Sequence, residues 1–126
     1  MDIKAYPKGE LVYYVPKWKA QREMCKKGEL GSPVTAVISP LTRGEMKRYL
    51  KAAENRELAS VAGELFCNHV TEIRNLSINA QSILNGKQLW ELDDAPPEVE
   101  ELVGELLSAL LDSSVLSDGE VKKLKN

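Results

Sequence analysis

Between Val99 and Leu111 the apolar residues Val99, Leu102, Val103, Leu106, Leu107, Leu110 and Leu111 recur at steps of three and four. That spacing is one stripe of a 3.6-residue helix. Its other faces carry Glu98, Glu100, Glu101, Glu105 and Asp112. Asp93-Asp94-Ala95-Pro96-Pro97 just before it reads as a helix start, because proline is tolerated in a first turn and acids favour the positive end of the helix dipole. An earlier stretch, Glu57 to Leu76, places Leu58, Ala62, Leu65, His69, Ile73 and Leu76 on one face, widened by Val61, Phe66 and Val70, and predicts the longest helix. A helix also starts at Thr42, where Thr42 and Glu45 have capping-box spacing. Met46, Tyr49, Leu50 and Ala53 mark its inner face, and Asn55-Arg56 is a candidate break.

The first forty residues follow a different pattern. Leu11-Val12-Tyr13-Tyr14-Val15, closed by Pro16, and Val34-Thr35-Ala36-Val37-Ile38, bracketed by Pro33 and Pro40, are β-branched and aromatic runs that predict two antiparallel strands. Lys17 to Ser32, ending in Gly28-Glu29-Leu30-Gly31-Ser32-Pro33, predicts a mobile basic connection between them. Ser77 to Asn85 predicts a short helix through Ile78, Ser82 and Ile83. Asn85-Gly86 suits a left-handed helix stop or a tight turn, and Leu89, Trp90 and Leu92 form an apolar patch after it. The expected fold is therefore α+β and mostly α-helical, with a small N-terminal two-stranded β element followed by three or four helices around one core. Residues 1–126 form one domain in this reading. Residues 1–41 are β-like or irregular, 42–112 make the helical core, and 113–126 are a tail in which Ser117 and Glu120 would cap a short helix.

Charge sharpens this picture. The net charge is -2, but residues 1–87 carry 14 basic and 9 acidic side chains while residues 88–126 carry 3 and 10. Such asymmetry fits two solvated faces of one domain, complementarity within one chain, or head-to-tail contact between copies, the last of which would make a homo-oligomer. No apolar run approaches the ~20 residues a membrane span needs. Met1-Asp2-Ile3-Lys4 has no secretory character. Cys25 and Cys67 share no partner spacing, so they read as reduced thiols of a cytoplasmic protein.

Catalytic inventory is thin. His69 is the sole histidine, and at about 100° per residue it falls within roughly 20° of Leu58 on the apolar stripe, where a core-edge histidine hydrogen-bonded to a neighbour is expected. Cys67 points nearly opposite, so the two cannot share a metal on one helix face. No Cys-x-x-Cys, His-x-x-x-His, Gly-x-Ser-x-Gly or phosphate-loop pattern occurs. No metal, no cofactor and no enzymatic activity are expected. For nucleic acid, Lys17, Lys19, Arg22, Lys26 and Lys27 surround Trp18, and Arg43, Lys47, Arg48, Lys51 and Arg56 make a basic helix face. Clustered cations with a stacking aromatic are what a phosphate backbone requires. Interleaved Glu23, Glu29, Glu45 and Glu54 and a pI near 5.5 argue for a solvated face instead. Trp90, Leu92, Leu107 and Leu111 are the candidate protein contacts, with Leu110 expected in the core.

In order of elements the chain resembles the small tail assembly chaperones, and related tail-morphogenesis proteins, of tailed bacteriophages and prophages. The resemblance runs through Val12-Tyr13-Tyr14-Val15-Pro16 and Val34-Thr35-Ala36-Val37-Ile38-Ser39-Pro40-Leu41-Thr42-Arg43-Gly44-Glu45. It continues through Phe66-Cys67-Asn68-His69-Val70-Thr71-Glu72-Ile73-Arg74-Asn75-Leu76 and the ending Leu102-Val103-Gly104-Glu105-Leu106 to Ser117-Asp118-Gly119-Glu120. It implies a non-enzymatic protein that binds the tape measure protein, keeps it soluble in the bacterial host cytoplasm and helps recruit tail tube subunits. The rival readings are a structural virion protein (a connector or tail completion subunit) and a nucleic-acid-binding accessory.

Overall fold

The computed structural model describes residues 11–124, with side chains through Ser113. The N-terminal Met1 to Lys4, and Lys125 and Asn126 of the tail, lie outside the described residues. The two expected strands are present and pair antiparallel. β1 (Val12–Tyr14) matches β2 (Thr35–Ile38) with Tyr13 opposite Val37. Their basic connection is built rather than loose: a 3-10 turn over Trp18–Ala20 runs into helix α1 (Gln21–Lys26). Lys19 and Ala20 both take left-handed backbone, with φ of 52° and 55°, a conformation that costs a residue with a Cβ roughly 1–2 kcal/mol.

Helix α2 spans Arg43–Glu54, and the capping box is formed in full: Glu45 N–H donates to Thr42 Oγ1 at 3.1 Å and Thr42 N–H to Glu45 Oε1 at 3.0 Å. The inner face is rotated from the expected one. Met46, Tyr49 and Ala52 turn toward the core, Ala53 is exposed and Leu50 is 57% exposed. Alanine at 52 marks a side where a longer residue would not fit, and the pattern of larger side chains hid it. Arg56, at φ 59°, breaks the chain before α3 (Leu58–His69).

The long periodic segment does not stay helical. After His69 it becomes β3 (Val70–Arg74), which pairs antiparallel with β2, so the sheet has three strands in the order β1-β2-β3. Val37 faces Glu72 but Ile38 faces Val70, so Thr71 is an extra residue in the ladder. Its hydroxyl donates to the Val37 carbonyl at 3.1 Å. The bulge explains the misreading. One added residue lets Val70 and Ile73 point into the core although they are three apart, which imitates a helical turn. The β-branched Val70, Thr71 and Ile73 favour the strand.

The expected helix after Leu76 is likewise absent. A two-stranded hairpin stands there, β4 (Ser77–Ile78) against β5 (Gln81–Ser82). Asn79 and Ala80 at φ 52° and 65° make its two-residue turn, the left-handed pair that matches strand twist. Asn85 is not a helix stop but the N-cap of α4 (Gly86–Trp90), accepting from Gln88 N–H at 2.8 Å. Helix α5 begins at Pro97 as expected and runs unbroken to Leu124. Ser117 is therefore helix interior, not a second cap. One core cluster joins Ala36 and Ile38 of β2, Leu65 and Phe66 of α3, Ile73 of β3, Leu89 of α4, and Val99, Leu102, Leu106 and Leu110 of α5. Among the described residues the α+β, mostly helical class holds, with five α-helices, a third strand beside the pair read from the sequence, and the separate two-stranded hairpin.

Candidate interaction surface

The acidic side of α5 is occupied by the chain's own N-terminal segment. Glu105 Oε2 accepts from the Tyr14 hydroxyl and from the Lys17 backbone N–H, both at 2.6 Å. Two turns back, the Glu98 carbonyl accepts from Trp18 Nε1 at 2.8 Å, and the Glu98 carboxylate pairs with Lys19 at 2.8 Å. Gln21, 4% exposed, closes the segment on itself. Its amide nitrogen donates to the carbonyls of Pro16 and Val34, and its oxygen accepts from Val34 N–H. The charge asymmetry between the two halves is thus met within one chain at these positions. Exposed ion pairs such as Lys19–Glu98 contribute about 0.2–1 kcal/mol, so the indole, the phenol and the buried amide hold the segment more than its charges do.

This arrangement changes Tyr14. Burial, and then the Glu105 carboxylate as hydrogen-bond partner and negative charge, push its phenol up to about 12 from 10.0. The folded chain therefore holds this proton more tightly than the unfolded chain does. That stabilisation is complete below pH 10 and is lost as pH rises toward 12. In an absorbance titration Glu105→Gln should lower the Tyr14 pKa only part of the way toward 10, because burial, the larger cause, remains.

The cations considered for nucleic acid are dispersed by the same contacts. Lys19 is paired with Glu98; Arg22 donates through Nε to the Val15 carbonyl at 2.6 Å and lies over the Tyr14 ring; Arg48 is bonded to Glu64. Lys17, Lys26 and Lys27 are exposed in the N-terminal segment, while Arg43, Lys47 and Lys51 form a separate exposed line on α2. Trp18, the aromatic expected to stack a base, packs partly against the core.

The apolar candidates sit at the margin of the core. Trp90, the last residue of α4, is half-buried against α3, its ring 5.3 Å from that of Phe66 at 40°, and an added Cβ on Gly63 would lie 2.7 Å from its Nε1. Leu92 packs partly against the core. On α5 the line Val99, Leu102, Leu106, Leu110 is buried, and Val103, Leu107 and Leu111 form a half-buried shoulder beside it, on the side away from Glu98 and Glu105. Leu110 is core, as the stripe predicts. Gly104 next to the shoulder has open space around its Cα.

His69 is the hydrogen-bonded core-edge residue expected from the stripe, 12% exposed between the Ser39 carbonyl and Glu45, each at 2.7 Å. Cys67 is partly buried; burial first and Glu91 second raise its thiol pKa, which suppresses the reactive thiolate. Among the described residues no three metal-ligating side chains converge, and no helix is long and apolar enough to cross a membrane. Sequence reading missed the acceptor roles of Glu98 and Glu105 and the Gln21 clamp. These join positions up to 91 residues apart and leave no local spacing to detect. No family model, no curated protein and no solved structure matches this chain.

Proposed function

We propose that the protein is a non-enzymatic assembly chaperone acting in phage or prophage tail morphogenesis in the host cytoplasm, a reading the resemblance in element order supports. It would hold an apolar helical stretch of the tape measure protein and help bring tail tube subunits to it. The observation that carries this reading is the shoulder of Val103, Leu107 and Leu111 on α5. These branched aliphatic side chains are only half covered by their own core, at the spacing with which a second helix meets a first. Glu98 and Glu105 on the other flank are already engaged by the N-terminal segment, so the apolar side is left for a partner.

The probe is a recombinant tape measure segment from the same genome, titrated into methyl-labelled protein. Leu107 and Leu111 methyl resonances should shift, while Leu102 and Leu106 move less. Binding that perturbs only the amides of Arg43, Lys47 and Lys51, or no binding at all, rejects the shoulder. Mass spectrometry of purified particles separates the virion alternative, since a chaperone is absent from finished particles and a connector is present. The nucleic-acid reading predicts duplex affinity that falls steeply with salt.

A further inference from the structure

We propose that the α5 shoulder is covered, when no client is present, by helix α2 of a second copy of this chain. Both halves of that contact are found in one molecule. On α5, Gly104, Leu107, Ser108 and Leu111 stand at i, i+3, i+4 and i+7, the four-residue hole that receives one side chain of a facing helix. Gly104 and Ser108 are exposed, and Leu107 and Leu111 are half-buried. Nothing lies within 4 Å of a Cβ added at Gly104, so no packing in the described fold calls for glycine there. Glycine is the poorest helix former after proline. At this position it keeps the floor of the hole low, which lets a second helix come close.

Helix α2 supplies the knob. Leu50 is 57% exposed and, among the described residues, is the one large hydrophobic side chain so exposed on a helix. Met46, Tyr49 and Ala52 fill the inward side of α2 without it. Charge then matches the two helices. Arg43, Lys47 and Lys51 run beside Leu50, with Glu54 the one acid on that face. Glu100 and Glu101 precede Gly104 by four and three residues, and Asp112 follows Ser108 by four, so all three acids border the hole. These three cations and three bordering acids are exposed, and among the described residues none of the six has an ion-pair partner. A partner with acidic flanks would be repelled by α5, and one with basic flanks by α2. A second copy satisfies both helices at once, in a head-to-tail contact of α2 on α5. The proposal builds on the reading of the shoulder as a docking face and adds its regulation, since a client must displace the second copy.

Sedimentation velocity of the full chain, with no client present, decides the matter. The weight-average mass should climb from 14.0 kDa to twice that or beyond as concentration rises from low micromolar to near millimolar. Added salt should reverse the climb. Gly104→Gln fills the hole with a good helix former, so its Tm should equal or exceed that of the wild type while association weakens about tenfold or more. Lys47→Glu with Lys51→Glu should stay monomeric alone, as should Glu101→Lys with Asp112→Lys. An equimolar mixture of those two proteins should associate again, because each restores the charge the other lacks. A wild type that is monomeric throughout overturns the proposal and leaves the shoulder to the client titration, which is read separately. So does a Gly104→Gln or charge-reversed protein that associates like the wild type, or a mixture that stays monomeric.

Discussion

Phe66→Ala should lower the unfolding free energy by about 3–5 kcal/mol, read as a shifted urea midpoint at unchanged slope. Phe66 is fully buried in the last turn of α3 and packs obliquely on Trp90. Its carbonyl also lies against Gly86 of α4. Truncation leaves a hole bordered by elements that cannot all move inward together, because the sheet and α5 are fixed on other sides. A domain of this size has about 5–15 kcal/mol in total, so the variant loses a large share. Phe66→Leu, which keeps most of the volume, should cost under about 1.5 kcal/mol. If both variants cost the same small amount, this region is not the rigid centre described above.

The second large effect is a pair of identical substitutions with opposite sign. Gly86→Ala places a Cβ 2.6 Å from Val70 Cβ, 2.8 Å from the Val70 carbonyl oxygen and 2.9 Å from that of Phe66. Two of the three are backbone, so α4 must shift off the α3–β3 junction, at a cost of about 3 kcal/mol. Gly104→Ala, on the exposed face of α5 with nothing within 4 Å of the added carbon, should instead stabilise by about 1 kcal/mol, because glycine is a poor helix residue. Thermal melts of the two variants beside the wild type give the comparison directly. Equal shifts in either direction would contradict the close approach at Gly86.

Local chemistry made some of this architecture legible. Thr42 and Glu45 announced their cap because both halves lie within four residues, and Pro96-Pro97 marked the start of α5 by the same kind of rule. The stripe from Val99 to Leu110 was readable because burial there is decided by the helix alone. Sequence reading failed where a second element decides the outcome. The Thr71 bulge gave Val70 and Ile73 a helical interval inside a strand. The hairpin at Asn79-Ala80 hid because alanine, not glycine, occupies the second left-handed position. Asn85 could have been found: Gln88 three residues on bonds Leu84 N–H and the Ser82 carbonyl, a back-reaching pair much like the one at Thr42. Of the candidate surface, the shoulder residues were nameable from periodicity. The engagement of Glu98 and Glu105 was not, because a single acid on a wet helix face looks the same whether or not a tyrosine later lies over it.

The bond from Trp18 to Glu98 spans 80 residues, which sets an order of events during synthesis. At roughly 5–20 residues per second the ribosome takes about 4–16 s to deliver the acceptor after the donor has emerged. Throughout that interval the aromatic and basic N-terminal stretch is outside the tunnel with its anchor still unmade. The newborn chain is then itself a client for holding factors, until its last helix arrives and closes the molecule.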